Sequence, residues 1–256
     1  MLAETERTER RVRLLPARVV VHYVLALALF ADSSYEEVMR QLVEGLAWAS
    51  GWERVWEVPS KMAISKARSR LGREPLELLF RAVGVPVASA ATRGAFYRGL
   101  RLVSVDGTCL DVADSDANAE AFGRPGSSRR EGGGAFPQLR VVALAESGTH
   151  AIFDAALGPY ASAERTLAEQ LFGSLQKGML CLADRGFYSF ESFQTARETG
   201  AQLLWRVKAD VGLRGRRERH KVCVRRDRKR RPCLQPKIRS CSSEPVLISL
   251  APAASR

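Results

Sequence analysis

The sequence predicts an α+β protein in which a helical N-terminal domain precedes a mixed β-sheet that is flanked by helices. Three observations support this prediction. Residues 14–90 show the three- to four-residue apolar spacing of amphipathic helices. Residues 97–210 alternate short, β-branched-rich apolar runs with helical segments. After residue 210 the hydrophobic periodicity ends, and we expect a disordered basic tail over residues 211–256.

The N-terminal domain begins with a charged lead, residues 1–13, which we expect to be frayed. Pro16 then opens an apolar helix, as proline does at a first helical turn. A second helix is indicated by Ser34 and Glu37, which have the spacing of a capping box. The lead and these two helices therefore account for the first half of the domain.

Two further helices end this domain and have the outline of a helix-turn-helix. Ser60 is the candidate cap of the first, and residues 75–83 form the second after a short break. A basic outer face on the first helix fits DNA phosphates, but charged outer faces are also ordinary on solvated helices, and the two interpretations stay open. The basic residues are Lys61, Lys66, Arg68 and Arg70.

Charge and composition narrow the class of protein. Of a net charge of +12, residues 211–256 contribute most, with 14 Lys and Arg against 3 acidic residues. The chain starts without a signal-peptide layout, and its longest apolar run, residues 19–31, is too short to span a bilayer. Five cysteines without paired spacing indicate reduced thiols. We expect a soluble cytoplasmic protein with no membrane partner.

Residues 100–114 bring an acid to an apolar strand. The run LRLVSV ends in Asp106 and Gly107, after which the alternation resumes, so we expect two strands that meet at this point. An Asp-Gly pair between two apolar runs is also a common hairpin turn. Taken alone, Asp106 therefore fits a turn better than a catalytic site.

A second stretch has the same design. Residues 179–182 form a short apolar strand that leads into Asp184, with a glycine two residues later. If this strand lies beside the first, the carboxylates of Asp106 and Asp184 converge at one edge of the sheet. Paired carboxylates suit Mg²⁺ or Mn²⁺, and such ions activate a water or a 3′-hydroxyl at a phosphodiester. We predict Asp106 and Asp184 as catalytic metal ligands.

Two further segments are candidates for DNA contact. Residues 114–137 look like a long loop rich in Gly, Ser and Arg, and loops of this length in compact domains are usually functional. One more arginine directly follows Asp184. The candidate phosphate contacts are Arg124, Arg129, Arg130 and Arg185.

The motifs VDGT at Asp106 and LADRGFYS at Asp184 resemble the first two acid motifs of bacterial insertion-sequence transposases of the DDE class. The likeness is to the branch whose third acid lies in a Tyr-Arg-Glu-Lys signature, and it covers residues 14–208, including the helical segment before the sheet. It implies a ribonuclease H-like core and a divalent metal. It also implies cleavage and joining of double-stranded DNA at inverted repeats and target sites, by a homodimer on paired ends in the bacterial nucleoid.

The sequence departs from this branch at the third acid, which we leave unassigned. Only 72 residues follow Asp184, and no tyrosine follows Tyr188. The glutamates after Asp184 lie either in a helix that we expect to pack against the sheet or in the tail, and none has the signature. They are Glu191, Glu198, Glu218 and Glu244.

The tail has the composition of a GC-rich gene read out of frame, with abundant Arg, Pro, Ala, Ser and Cys. We therefore expect a truncated or frameshifted transposase with an incomplete core over residues 97–210 and little or no activity. Two alternatives remain open. The chain is otherwise a non-catalytic DNA-binding remnant, or a metal-dependent nuclease without strand transfer, which fold alone cannot distinguish.

Overall fold

A computed structural model describes residues 1–9, 11, 13–50, 58–126, 136–208 and 246–249. The chain divides into two compact units, Met1–Val83 and Gly84–Arg256. The first unit is helical and the second is built on one mixed sheet, which confirms the predicted α+β class. No helix in the described ranges is long and apolar enough to cross a membrane.

The described part of the first unit contains helices α1 (Ala17–Leu29), α2 (Tyr35–Ser50), α3 (Lys61–Leu71) and α4 (Glu74–Val83). The predicted cap of α3 is confirmed, since the Ser60 hydroxyl accepts a hydrogen bond from the Ala63 N–H. Apolar side chains at helical spacing meet between α1, α2 and α3 and form the core of this unit. They include Val19, Val20, Tyr23, Val38, Met39, Ile64, Ala67 and Leu71.

Several residues of the lead contact the rest of the helical unit. Met1 and Leu2 pack against the helical core. The Arg7 N–H donates to the Leu2 carbonyl oxygen at 2.9 Å, and the Arg7 guanidinium lies 3.3 Å from the Glu74 carboxylate. The charged composition of the lead gave no reason to expect the apolar contacts of Met1 and Leu2 or the pairing of Arg7 with Glu74 on α4.

The second unit contains a seven-stranded sheet in the order β4-β3-β2-β5-β6-β7, with β1 paired to β2 alone. Strands β2, β3 and β4 form an antiparallel meander, and β5 and β6 run parallel to β2. This arrangement is ribonuclease H-like, as the resemblance implied. The strands are β1 (Phe96–Tyr97), β2 (Leu100–Asp111), β3 (Gln138–Glu146), β4 (Ile152–Pro159), β5 (Met179–Ala183), β6 (Gln202–Val207) and β7 (Val246–Ser249).

The elements of the second unit that were not predicted include one strand of the expected tail and one helix of the expected loop. Strand β7 lies within the segment expected to be a disordered tail and pairs antiparallel with β6. Helix α5 (Asp116–Phe122) lies within the segment expected to be a loop, and it is capped by Ser115, whose hydroxyl accepts from the Asn118 N–H. The segment was predicted as a loop because glycines and arginines are abundant further along it, and this composition outweighed the short capped helix at its start. Residues 127–135 lie outside the described part.

Helices α6 (Glu164–Leu171) and α7 (Phe190–Glu198) cover one face of the sheet. A single 3₁₀ turn, Phe172–Ser174, extends α6. The core between these helices and the sheet takes every second residue of the central strands, as strand alternation requires. Its members include Val103, Val105, Val142, Leu144, Leu167, Phe172, Cys181, Ala183 and Trp205.

The segment before the sheet belongs to the second unit because a buried carboxylate holds it there. Glu146, at the end of β3, is fully buried and accepts hydrogen bonds from the Ala88 N–H at 2.8 Å and the Thr149 hydroxyl at 2.6 Å. It also pairs with the Arg101 guanidinium on β2. The division between the two units accordingly falls after Val83.

A close backbone approach beside Glu146 gives a first testable prediction. A Cβ atom at Gly148 would lie 2.6 Å from Cα and 2.7 Å from N of Ala95, so a backbone segment would have to move. We expect Gly148→Ala to lower the free energy of unfolding by about 2 kcal/mol in urea denaturation. The control is Gly173→Ala, where a Cβ meets nothing within 4 Å. Equal losses in both variants would show that the contact with Ala95 is not the cause.

Candidate active site

Asp106 lies within one continuous strand, so the prediction of two strands or a hairpin turn is wrong. Strand β2 runs unbroken through Asp106 and pairs with β3 on both sides of it. The two-residue hairpin turns favoured by an Asp-Gly pair need a positive φ. Gly107 is not among the described residues that have one.

Asp106 nevertheless stands where the parallel pairing of β2 with β5 ends. The last pair between these strands is Val105 with Ala183, and Ala183 in turn pairs with Trp205 of β6. One residue further along each strand are Asp106, Asp184 and Arg206. We call these three residues the strand-end row. Neighbouring strands lie about 4.8 Å apart, so the structure brings the two predicted acids to adjacent positions.

The strand-end row lies on the sheet face opposite α6 and α7. Val105, Ala183 and Trp205 point into the core below those helices, so the next residue of each strand points the other way. Asp106 is exposed, and the Asp184 side chain is 54% exposed. Solvent and a large ligand can therefore reach both carboxylates.

An arginine that the sequence analysis missed completes the row. Arg206 Nη1 lies 2.9 Å from Asp184 Oδ1, and the Arg206 side chain is 45% exposed. The segment QLLWRV is one of the short apolar runs within residues 97–210, but the position of its arginine beside Asp184 depends on the pairing of β5 with β6. The only sequence signal was a basic residue at an outward position near a strand end.

Within the described ranges, no group of three or more His, Cys, Asp or Glu side chains is placed to hold a metal ion. Glu191 and Glu198 are exposed on α7, which packs on the other face of the sheet. Glu218 and Glu244 lie outside the described residues. Asp106 and Asp184 could supply two of the about six oxygen ligands that a hard divalent cation takes.

The carboxylate on the other side of β2 is not part of the row. A Cβ atom on Gly107 would lie 3.0 Å from Cδ of Glu164, the first residue of α6. Arg140 holds this carboxylate with an Nη1–Oε1 distance of 2.9 Å, and Arg140 Nε donates to the Tyr160 carbonyl oxygen at 3.1 Å. A side chain in place of Gly107 would crowd this ion pair, which no local sequence pattern predicts.

The basic residues of α3 are engaged to different degrees within the first unit. Lys66 is exposed and takes part in no ion pair that the described residues show, which fits a phosphate contact. The other three have intramolecular partners: Lys61 with Glu36 (3.4 Å), Arg68 with the Tyr35 ring (5.4 Å to the centroid) and Arg70 with the Leu15 carbonyl oxygen (3.4 Å).

The candidate DNA-contacting arginines of the second unit also differ in exposure and pairing. Arg185 is exposed in the turn directly after Asp184. Arg124 follows α5 and pairs with Asp114. Arg129 and Arg130 lie outside the described residues.

Two family models match this sequence. Residues 1–81 match the model described as insertion element 4 transposase N-terminal, and residues 97–241 match the model described as transposase DDE domain. The second match covers the strand-end row. It also continues across residue 210, where the composition changes.

Two curated proteins of Escherichia coli K12 are similar to this chain. The putative transposase InsZ is 28% identical over 179 residues, which cover 68% of this chain and 58% of that protein. The transposase InsG for insertion sequence element IS4 is 29% identical over 211 residues, which cover 82% of this chain and 46% of that protein. The chain thus spans about half the length of these relatives.

Two solved structures also resemble the chain. The piggyBac transposase in a synaptic complex with hairpin DNA aligns with a TM-score of 0.41 at 11% identity, covering 97% of this chain and 56% of that one. The Mos1 transposase in a paired-end complex with the left transposon end aligns with a TM-score of 0.27 at 10% identity, covering 76% and 60%. Both scores are low, and the ribonuclease H-like topology is evident from the strand order itself.

Proposed function

Because this chain belongs to the DDE transposases of the insertion element 4 type, we propose that it is an insertion-sequence transposase whose catalytic core is incomplete. The observation that carries this proposal is the strand-end row, in which Asp106 and Asp184 occupy adjacent positions on one exposed sheet face. The proposed substrates are the inverted repeats of the element and target DNA, bound by a homodimer at the bacterial nucleoid.

We propose that Asp106 and Asp184 hold Mg²⁺ or Mn²⁺. When bound, such an ion activates a water or a 3′-hydroxyl and stabilises the leaving oxygen at a phosphodiester. The two carboxylates would hold the positive charge of the metal ion at the edge of the sheet. Neither acts as a nucleophile, since phosphoryl transfer needs positioning and charge stabilisation from the protein. The exposure of the row leaves room for a DNA backbone.

The helical unit and the basic residues near the row are proposed to bind DNA. Lys66 on α3 and Arg185 beside Asp184 are exposed cations, as phosphate contacts require. Helices α3 and α4 follow each other after one tight turn at Gly72, which has a positive φ of 69°. This is the outline of a helix-turn-helix, and we keep that assignment as a proposal.

The proposal is tested by incubating the full chain with duplex DNA that carries the terminal repeat of its element, with Mg²⁺ and without it. We expect binding that prefers the repeat to random DNA of equal length, and little or no nicking or strand transfer, because no third acid joins the row in the described residues. Equal binding to random DNA would contradict the proposed recognition of the inverted repeats. Robust strand transfer would contradict the incomplete core.

A non-catalytic DNA-binding remnant is the second candidate function, and it is favoured because no third acid lies beside the strand-end row among the described residues. The two candidates differ in the metal site, since a remnant has no need for Mn²⁺ at Asp106 and Asp184. Reading the gene after codon 210 in the other two frames supplies an independent check on truncation. A frame that encodes a Tyr-Arg-Glu-Lys helix is expected, and its absence from both frames would rule out the frameshift.

A further inference from the structure

We propose that Arg206 is a positioning residue that competes with the divalent cation for Asp184 and thereby weakens metal binding until DNA draws the arginine away. This inference rests on the proposed function, because it takes Asp184 to be a metal ligand. It adds a role for a residue that belongs to neither acid motif.

The backbone of Arg206 is fixed beside Asp184. The preceding residue, Trp205, is fully buried and lies against two aromatic rings, with centroids 5.8 Å from Phe172 and 5.4 Å from Phe193. Strand β6 is also paired with β5 through Ala183, the residue before Asp184. The Arg206 side chain therefore starts next to the carboxylate in every state that keeps the sheet intact.

The side chain of Arg206 is free to move even though its backbone is not. The guanidinium and the Asp184 carboxylate are 2.9 Å apart, and both side chains are about half exposed. Ion pairs of this exposure contribute little to stability, so the pair is easily broken. The ion pair with Arg206 therefore lowers the affinity of Asp184 for a divalent cation but does not prevent the cation from binding.

The cation and the guanidinium cannot both lie against Asp184 without repelling each other. In a water-like medium, the repulsion between a guanidinium and a divalent cation about 6 Å apart raises the dissociation constant of the cation about tenfold. Asp106 takes part in no ion pair that the described residues show, and its Oδ1 accepts from the Gly107 N–H at 2.8 Å. The positive charge of Arg206 therefore weakens cation binding through Asp184, and Asp106 is not affected in this way.

A DNA phosphate removes this penalty. A guanidinium can bind two oxygens of a phosphate in a bidentate geometry, whereas the ion pair with Asp184 is a single contact between Arg206 Nη1 and Asp184 Oδ1. When Arg206 turns to a phosphate, Asp184 is released for the cation. Metal and DNA then increase each other's affinity, since coupling between two binding sites is reciprocal.

The test is the Mn²⁺ affinity of the full chain, measured by electron paramagnetic resonance without any assay of activity. We expect Arg206→Gln to bind Mn²⁺ about tenfold more tightly than the native chain, and Arg206→Lys, which keeps the charge, to differ by less than about threefold. The control is Arg197→Gln, which removes an exposed arginine from α7 on the other face. Equal affinities of native chain and Arg206→Gln, or no Mn²⁺ binding by either, would overturn the proposal.

A second arm repeats the titration with a short duplex. The native chain is expected to bind Mn²⁺ more tightly with DNA present, and Arg206→Gln is expected to lose most of that gain. Asp184→Asn separates the two proposals. If it leaves Mn²⁺ binding unchanged, the proposed metal site itself fails; if it abolishes binding while Arg206→Gln changes nothing, only the role of Arg206 fails.

Discussion

Replacing Glu146 by alanine is expected to lower the stability of the second unit by about 3–5 kcal/mol. Its carboxylate is fully buried and accepts from Ala88 and Thr149 while pairing with Arg101, whose side chain is 23% exposed. Removing it leaves a guanidinium and a backbone N–H without their acceptor in a place that water scarcely reaches. The Glu146 network is therefore the contact whose loss we expect to destabilise the fold most.

Hydrogen exchange under native conditions measures this effect, because it reports the opening of each unit separately. Peptides from β2 and β3 are expected to lose protection in Glu146→Ala, whereas peptides from α1 are expected to keep it. The matched control is Glu120→Ala on α5, which removes an exposed carboxylate from the same unit. Similar protection in the two variants would mean that the buried network adds little.

The same carboxylate makes stability depend on pH. Burial alone would raise the pKa of Glu146, but hydrogen bonds from Thr149 and Ala88 and the pairing with Arg101 hold the pKa below its ordinary value. The unfolded chain then binds the proton more tightly than the folded one. This contribution is fully present above the unfolded pKa, about 4.3, and is lost as the pH falls through the lower folded value. Melting temperatures of the native chain and Glu146→Gln are thus expected to converge in acid.

Sequence alone predicted that a strand leads into each of the two acids, because apolar residues fill the runs before Asp106 and Asp184. It failed at Asp106 since an Asp-Gly pair is a local turn signal, whereas β2 makes nine register pairs with β3 that continue through this point. Tertiary pairing outweighs such a two-residue preference. The error concerned local structure and left the position of the carboxylate at the end of the β2–β5 pairing unaffected.

Arg206 and Glu146 were not predictable for a different reason. Arg206 meets Asp184 only through the register of β6 against β5, and a shift of one residue would turn it to the other face. Glutamate is almost never fully buried unless it is paired, so residue type alone gives no reason to expect a buried Glu146. Its partners come from segments about 45 and 58 residues away, Arg101 and Ala88. Contacts of this range leave no local pattern in a sequence.

The two predicted ligands give the largest expected effect on metal binding. We expect Asp106→Asn and Asp184→Asn each to weaken Mn²⁺ binding by about 100-fold or more, since residues that merely support a ligand already cost 10- to 100-fold. The control is Asp111→Asn, an exposed acid at the end of the same strand whose Oδ1 accepts from Gln138 Nε2 at 2.8 Å. Its affinity is expected to stay unchanged. Comparable weakening in all three variants would indicate a nonspecific effect of charge.

The direction of the change separates ligation from folding at Asp184. Asp184→Asn and Arg206→Gln both remove the same 2.9 Å ion pair. If the ion pair mattered only by holding β5 and β6 in place, both variants would lose metal affinity together. Ligation by Asp184 and competition by Arg206 predict opposite signs, with weaker Mn²⁺ binding in the first variant and tighter binding in the second. Opposite signs from two residues of one ion pair cannot arise from damage to the sheet, so this comparison tests the strand-end row as a metal site.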